Sequence, residues 1–121
     1  MIPIGKFLMV WYTSQLLRVY VSLEEAVKAL SEHGFAGIMP KIANGNYAWL
    51  PGKPEAKGLP ELIALARDFG LQVHTWIYSY GQDLSGELAA IKAAYGIYGG
   101  DSLTINAEAE YKRKGAAVVA T

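Results

Sequence analysis

Strand-like and helix-like segments alternate along this chain, with a repeat of about 30 residues. Segments rich in β-branched, aromatic and aliphatic residues predict four strands, over 6–12, 35–42, 71–78 and 102–108. Apolar residues at helical spacing predict a helix in each interval, over 23–33, 60–69 and 84–98. Strands separated by helices pair in parallel through right-handed crossovers, so the sequence predicts an α/β protein of four βα units.

Residues that begin and end helices support these boundaries. Ser22 and Glu25 have the spacing of a capping box, in which the hydroxyl accepts from a helical N–H and the glutamate reaches back. Gly34 follows the first predicted helix at the position of a left-handed C-cap. Pro60 suits the first turn of the second helix, and Gly70 ends that helix.

The predicted strands differ between their two faces. In the third strand, Val73, Thr75 and Ile77 alternate with a polar and aromatic set that comprises Gln72, His74, Trp76 and Tyr78. The fourth strand repeats the pattern, with Leu103, Ile105 and Ala107 opposite Thr104, Asn106 and Glu108. A strand buried between two helix layers would be apolar on both faces. The asymmetry is typical of strands that turn one face into a barrel and carry a site at their carboxyl ends.

We therefore predict one domain, 1–121, with a parallel (βα)4 fold equivalent to half of a TIM-type barrel. A whole barrel has eight strands and usually ~250 residues. An isolated half would expose two strand edges, so we expect two chains to complete the barrel as a homodimer, or a higher homo-oligomer to form. The alternatives are an open doubly wound sheet, an open sheet with helices on one side only, and a truncated piece of a longer protein.

Composition excludes several classes of function. The chain has 11 basic and 11 acidic side chains and no basic patch, which argues against a nucleic-acid partner. It has no cysteine, no signal-peptide pattern and no apolar stretch of ~18 residues, so we expect a cytoplasmic protein without a membrane span. His33 and His74 do not have metal-ligand spacing, and no nucleotide-binding motif is present, so the sequence predicts neither a metal nor a cofactor.

The acidic residues around the end of the fourth strand are the candidates for catalysis. Asn106 and Glu108 lie two apart, which places them on one face of a strand roughly 7 Å from each other. Glu110 joins them where the strand continues. A carboxylate at this end of a barrel strand is a common general acid or base. The alternative is that Glu108 and Glu110 are solvated charges at the rim.

Lys41 and His74 are the other candidate polar site residues. Lys41 lies near the end of the second predicted strand, where it would bind an anionic or hydroxyl-rich ligand or form an ion pair with Glu108. His74 would be an acid, a base or a ligand-binding group. A single inward histidine is more often a hydrogen-bonded core residue, and that is the alternative for His74.

Aromatic residues are predicted to line the same opening. Trp11, Trp76 and Tyr78 lie near the ends of the first and third strands, and Trp49 lies on the long loop after the second. Flat aromatic faces suit the apolar faces of sugar rings, so these residues are candidate carbohydrate contacts. Alternatively, Trp11 and Trp76 fill the interior of the barrel.

Three stretches resemble a family of bacterial and phage barrel proteins similar to glycoside hydrolases. The first, 39–45, reads MPKIANG and resembles the family's KIADG segment in the second strand. The second, 73–81, reads VHTWIYSYG and resembles its W-Y-YG segment in the third strand. The third, 105–111, reads INAEAEY and resembles its DAE-EY segment in the fourth strand. Together they span the first half of that family's barrel.

The resemblance implies carbohydrate binding or hydrolysis, with Glu108 as the acid. Asn44 and Asn106 stand where the family pattern has aspartate. Because glycoside hydrolysis usually uses two carboxylates, the second would be Glu110 or would come from another chain. The sequence thus leaves two functions open: a glycosidase-like hydrolase in which Lys41 and Asn106 orient the ligand, or a non-catalytic, self-assembling half-barrel that has lost the carboxylate pair.

Overall fold

The computed structural model describes residues 3–107 and confirms an α/β protein with a parallel sheet. The strands are β1 (Phe7–Val10), β2 (Gly37–Asn44), β3 (Tyr47–Ala48), β4 (Gln72–Ser79) and β5 (Ser102–Ala107). The helices are α1 (Ser14–Leu17), α2 (Leu23–Glu32), α3 (Leu59–Asp68) and α4 (Leu84–Tyr98). A 3₁₀ turn, Pro54–Ala56, precedes α3. Within the described range, no helix has the length and apolarity to cross a lipid bilayer.

The parallel strands lie in the order β1-β2-β4-β5, which follows the chain. Successive right-handed crossovers in one direction place all the connecting helices on one side of such a sheet. The buried core agrees, because it joins Ile38 of β2 and Val73 of β4 to Val27 of α2, Leu62 of α3 and Ala94 of α4. The opposite side of the sheet is called the inner face here.

Helix α2 begins where the capping box predicts. The Ser22 hydroxyl accepts a hydrogen bond of 3.1 Å from the backbone N–H of Glu25, which satisfies one free amide of the first turn. The apolar side of the helix, comprising Leu23, Ala26, Val27 and Leu30, is buried. Helix α4 begins similarly, with the Asp83 carboxylate accepting from the N–H of Gly86 at 3.0 Å.

An irregularity in β2 determines which side chains reach the inner face. Lys41 pairs with Trp76, and Asn44 pairs with Tyr78. Along β2, Asn44 comes three positions after Lys41, whereas along β4, Tyr78 comes only two positions after Trp76. The extra residue is a β-bulge between Lys41 and Ala43. Because Trp76 and Tyr78 share a face, the bulge places Asn44 on the same face as Lys41.

The structure adds elements to two segments that the sequence analysis treated as strand or loop. The first strand ends at Val10, and α1 follows it after a short turn. The Gln15 side chain holds that turn by accepting from the backbone N–H groups of Trp11 and Tyr12. The loop after β2 contains β3, which pairs antiparallel with the end of β2.

Candidate functional site

Six of the predicted site residues lie on the inner face of the sheet, and one of them, Asn106, belongs to β5, where it pairs with Tyr78. Lys41, Trp76 and Tyr78 project there from β2 and β4, and Trp11 reaches them from the residue after β1. His74 lies on the same face of β4, two residues before Trp76. Trp11, Trp76 and Tyr78 surround the Lys41 ammonium group, whereas His74 does not.

Lys41 is enclosed by aromatic rings and is only 3% exposed. Its Nζ lies 4.2 Å from the ring centroid of Trp11 and 4.9 Å from that of Trp49. The centroids of Trp76 and Tyr78 are 5.3 and 5.6 Å away. These distances are those of cation–π contacts, which offset part of the cost of removing a charge from water. We call Trp11, Trp49, Trp76 and Tyr78 the aromatic cage.

Lys41 also has a short polar chain on one side. Its Nζ donates to the Oδ1 atom of Asn44 at 2.9 Å, and the Nδ2 atom of Asn44 donates to the Tyr80 hydroxyl at 3.1 Å. Asn44 is neutral, so it solvates the amine without compensating its charge. Burial consequently lowers the pKa of Lys41 from 10.5 to about 8.

Main-chain hydrogen bonds hold two residues of the aromatic cage, Trp76 through its indole N–H and Trp49 through its backbone N–H. The indole N–H of Trp76 donates to the carbonyl oxygen of Met39 at 2.9 Å, and its ring meets Trp11 edge-on at 5.1 Å. The backbone N–H of Trp49 donates to the carbonyl oxygen of Ile42 at 2.9 Å. The Trp49 ring stacks on Tyr12 with 5.1 Å between centroids. These contacts restrain Trp76 and Trp49, whereas the Trp11 ring is held by ring contacts alone within residues 3–107.

His74 lies apart from the cage and has the contacts of a core residue. It is fully buried, its Nδ1 atom lies 2.5 Å from the Ser102 hydroxyl, and its Nε2 atom lies 2.8 Å from the Gln72 side-chain oxygen. The Phe7 ring packs edge-on against it. Burial lowers its pKa, which favours the neutral imidazole. These contacts are those of a hydrogen-bonded core residue, the alternative given above for His74.

The fourth-strand candidates are only partly described. Asn106 is half-buried on β5, where it pairs with Tyr78 and therefore lies beside the aromatic cage. Glu108 and Glu110, the predicted catalytic residues, lie outside the described residues. Among residues 3–107, no group of three histidine, cysteine, aspartate or glutamate side chains is placed to hold a metal ion.

A surface cavity of about 370 Å³ lies at the carboxyl ends of β2 and β4. Its lining includes Asn44, Asn46, Tyr47, Tyr80, Asp83 and Glu87. Asn44 thus belongs to both the Lys41 chain and this cavity. We call it the rim cavity.

No family model, curated protein or solved structure matched this chain. The resemblance to glycoside-hydrolase-like barrels therefore stays a prediction from the three sequence stretches.

Glu87 is a residue of the rim cavity that the sequence analysis missed. It lies in the first turn of α4 and is 5% exposed. Its carboxylate accepts from the backbone N–H groups of Tyr80 and Gly81 at 3.2 and 3.1 Å, and from the Ser79 hydroxyl. It therefore anchors the loop after β4 and, through it, Tyr80. The available signal was a glutamate four residues after the N-cap Asp83. That signal also fits an ordinary exposed first turn, where acidic residues are common.

The chemistry available in the described site is recognition by stacking and hydrogen bonding, plus one amine of lowered pKa. The two carboxylates of the rim cavity already have structural partners: Asp83 accepts from Asn46 and the N–H of Gly86, and Glu87 accepts from the loop after β4. The exposed rings at the carboxyl ends are Trp11, Tyr12 and Tyr47, each about two-fifths exposed. Amide groups of Asn44 and Asn46 lie with Tyr47 in the lining of the rim cavity. Lys41 has no carboxylate partner within residues 3–107, since burial is the one cause of its pKa shift.

Proposed function

We propose that this chain binds carbohydrate at the carboxyl ends of its parallel strands, in the manner of a glycoside-hydrolase-like half-barrel. The observation that carries the proposal is the convergence of the aromatic cage with amide side chains at this end of the sheet. Parallel α/β sheets bind ligands at this end, where loops can vary without disturbing the core.

The types of side chain support a sugar more than a charged ligand. Trp11 is 39% exposed and offers a flat surface to the C–H groups of a pyranose ring. Asn44 and Asn46 offer both donors and acceptors to hydroxyl groups. The rim cavity, at about 370 Å³, has the volume of a small-ligand site.

Binding without hydrolysis is the form that the described residues support best. Glycoside hydrolysis usually needs two carboxylates on either side of the scissile bond. None accompanies Lys41 among residues 3–107, and those of the rim cavity are engaged, Asp83 as the cap of α4 and Glu87 by the loop after β4. Glu108 directly follows β5 in the sequence and is the residue on which hydrolysis would depend. Asn106, two residues before it, cannot act as a base or nucleophile.

A Trp11→Ala variant tests the binding proposal. Isothermal titration against a panel of methyl glycosides and short oligosaccharides should detect binding by the parent, and the variant should bind about tenfold more weakly because the stacking surface is lost. Leu88→Ala is the matched control, since Leu88 is 51% exposed on α4. Absence of binding by the parent, or equal affinity in Trp11→Ala, would refute the proposal.

Glu108→Gln separates binding from hydrolysis. If the chain is a hydrolase, product release from the same panel ends in this variant while glycan affinity is retained. Turnover that continues unchanged would exclude Glu108 as the acid. Binding without turnover in both proteins would favour the non-catalytic function.

A self-assembling half-barrel is the second candidate, and exposed apolar side chains favour it. The sheet ends in β1 and β5, whose outer edges are unpaired within the described residues. Met9 on β1 and Ile105 on β5 are 47% and 54% exposed, and Val19, after α1, is 76% exposed. Unpaired edges with apolar neighbours favour association with another chain.

A further inference from the structure

Lys41 is unusual in being a buried amine with a neutral partner. A lysine is rarely buried unless a carboxylate accompanies it. Here the one hydrogen-bond acceptor within residues 3–107 is the Asn44 amide, and aromatic rings occupy the other sides of Nζ. Desolvated lysines of this kind are the ones that proteins use as nucleophiles toward carbonyl compounds.

Burial of Nζ raises the fraction of the uncharged amine, which is the nucleophilic form. Burial lowers the pKa of Lys41 to about 8, so roughly a tenth of the amine is uncharged at pH 7. The ionisable groups near it in the described part are the phenols of Tyr78 and Tyr80. Neither residue is a carboxylate, so the described part supplies no acidic partner of the kind that normally accompanies a buried lysine.

Trp11 is the ring through which a small molecule would reach Nζ. It follows the edge strand β1, is 39% exposed, and has the shortest ring-to-Nζ distance, 4.2 Å. Hydrogen bonds to the main chain hold the Trp76 indole and the Trp49 backbone, whereas in residues 3–107 the Trp11 indole has only ring contacts. A change in the Trp11 side-chain torsions would therefore open the cage from the sheet edge.

We propose that Lys41 is a nucleophilic amine that captures small hydroxyaldehydes as an imine. The Nζ lone pair attacks the carbonyl carbon, a proton moves from nitrogen to oxygen, and the carbinolamine loses water to give C=N. The hydroxyl groups of the ligand would then meet Asn44 and Tyr80, which already form a hydrogen-bonded chain at Nζ. The inference shares a site with the proposed carbohydrate binding, but it requires a free aldehyde.

Reductive trapping tests the proposal directly. The protein is incubated at pH 7 with glycolaldehyde and sodium cyanoborohydride, which reduces the imine to a stable secondary amine, and each lysine is followed by peptide mass spectrometry. Lys41 should be labelled about tenfold faster than Lys28 and Lys92, which are exposed on α2 and α4. Labelling of Lys41 no faster than these two would overturn the proposal.

The pH dependence of labelling distinguishes a nucleophile from an amine that is merely accessible. For Lys41 the rate should rise to a plateau with a midpoint of about 8, and the profile of Lys28, measured in the same samples, is the reference for an exposed amine. Trp11→Ala admits water to Nζ, so its midpoint should move upward. A midpoint for Lys41 that equals that of Lys28 in the parent would contradict the proposal even if labelling occurs.

Two controls keep this test separate from the proposed function. Lys41→Gln should remove only the fast-labelled peptide, leaving the labelling of Lys28 and Lys92 unchanged, and far-ultraviolet circular dichroism shows whether the variant keeps the fold. Methyl glycosides have no free aldehyde, so glycan binding measured with them is independent of imine formation. Fast labelling of Lys41 without glycan binding would support imine capture and refute the proposed carbohydrate binding. Glycan binding without fast labelling would support carbohydrate binding and refute imine capture.

Discussion

Lys41 makes the stability of the fold depend on pH in a defined direction. Its folded-state pKa of about 8 lies below the ordinary value of 10.5, so the unfolded chain binds more protons between these two values. The free energy of unfolding therefore gains a contribution from Lys41 as the pH rises through this window, and that contribution is absent below it.

Comparing the free energies of unfolding of the parent and Lys41→Met isolates this effect, because the contributions of the other titrating groups are the same in both proteins and cancel. The stability of the parent relative to the variant should increase by about 2 kcal/mol between pH 7 and 10.5, a value discounted for the partial screening of a group near an open face. Urea unfolding of both proteins at several pH values measures it. A difference that is independent of pH would show that the amine is not desolvated.

At this scale the sequence predicted the shared face but not its details. Strand alternation was enough to place Lys41, Trp76 and Tyr78 together, since side chains two apart point the same way. Asn44 was not predicted as a partner of Lys41, because three residues apart means opposite faces in a regular strand. The bulge in β2 brings Asn44 to the face of Lys41, and residues 41–43 contain no glycine or proline from which a bulge could be predicted.

The pairing of β2 with β4 depends on a glycine that has no room for a side chain. A Cβ atom at Gly37 would lie 2.2 Å from the carbonyl oxygen of Gln72, its partner across the sheet. Gly37→Ala should therefore force the strands apart and lower the free energy of unfolding by about 3 kcal/mol. Chemical denaturation measures the change.

Gly96→Ala is the matched control for this substitution. Gly96 lies inside α4, and a Cβ atom there would meet nothing within 4 Å. Alanine at that position should raise the free energy of unfolding by about 0.5–1 kcal/mol, because glycine is a poor helix former. If both variants changed stability in the same direction, the close contact at Gly37 would not be the cause.

The length of each helix or strand determined whether the sequence could predict it. The long helices α2, α3 and α4 have several turns of apolar spacing and clear end signals, and all three appear. Helix α1 has four residues and strand β3 has two, which is too short for a period to be recognised. Both are defined instead by tertiary contacts, such as those of the buried Leu16.

On the scale of the whole molecule, the two ends of the sheet present apolar surface. An apolar cavity of about 470 Å³ lies beside β1, between that strand and helices α1 and α2, and is lined by residues that include Val10, Leu16 and Val19. On β5, at the opposite end of the sheet, Ile105 is 54% exposed. In a closed barrel each of these positions would be covered by the next βα unit. Alternation of strands and helices predicts the sheet order, but closure depends on strands beyond the four parallel strands described here.

Association through these edges predicts a concentration-dependent mass in solution. Sedimentation should give a species heavier than the 13.1 kDa chain, with the heavier fraction growing as protein is added. Ile105→Lys should shift this equilibrium toward the monomer, since a charge on an edge strand opposes pairing. Ile97→Lys is a closely matched control, because Ile97 is also 54% exposed but lies on α4 beside α3, away from both edges. A parent that stays monomeric, or equal effects of the two lysines, would exclude association through the sheet edges.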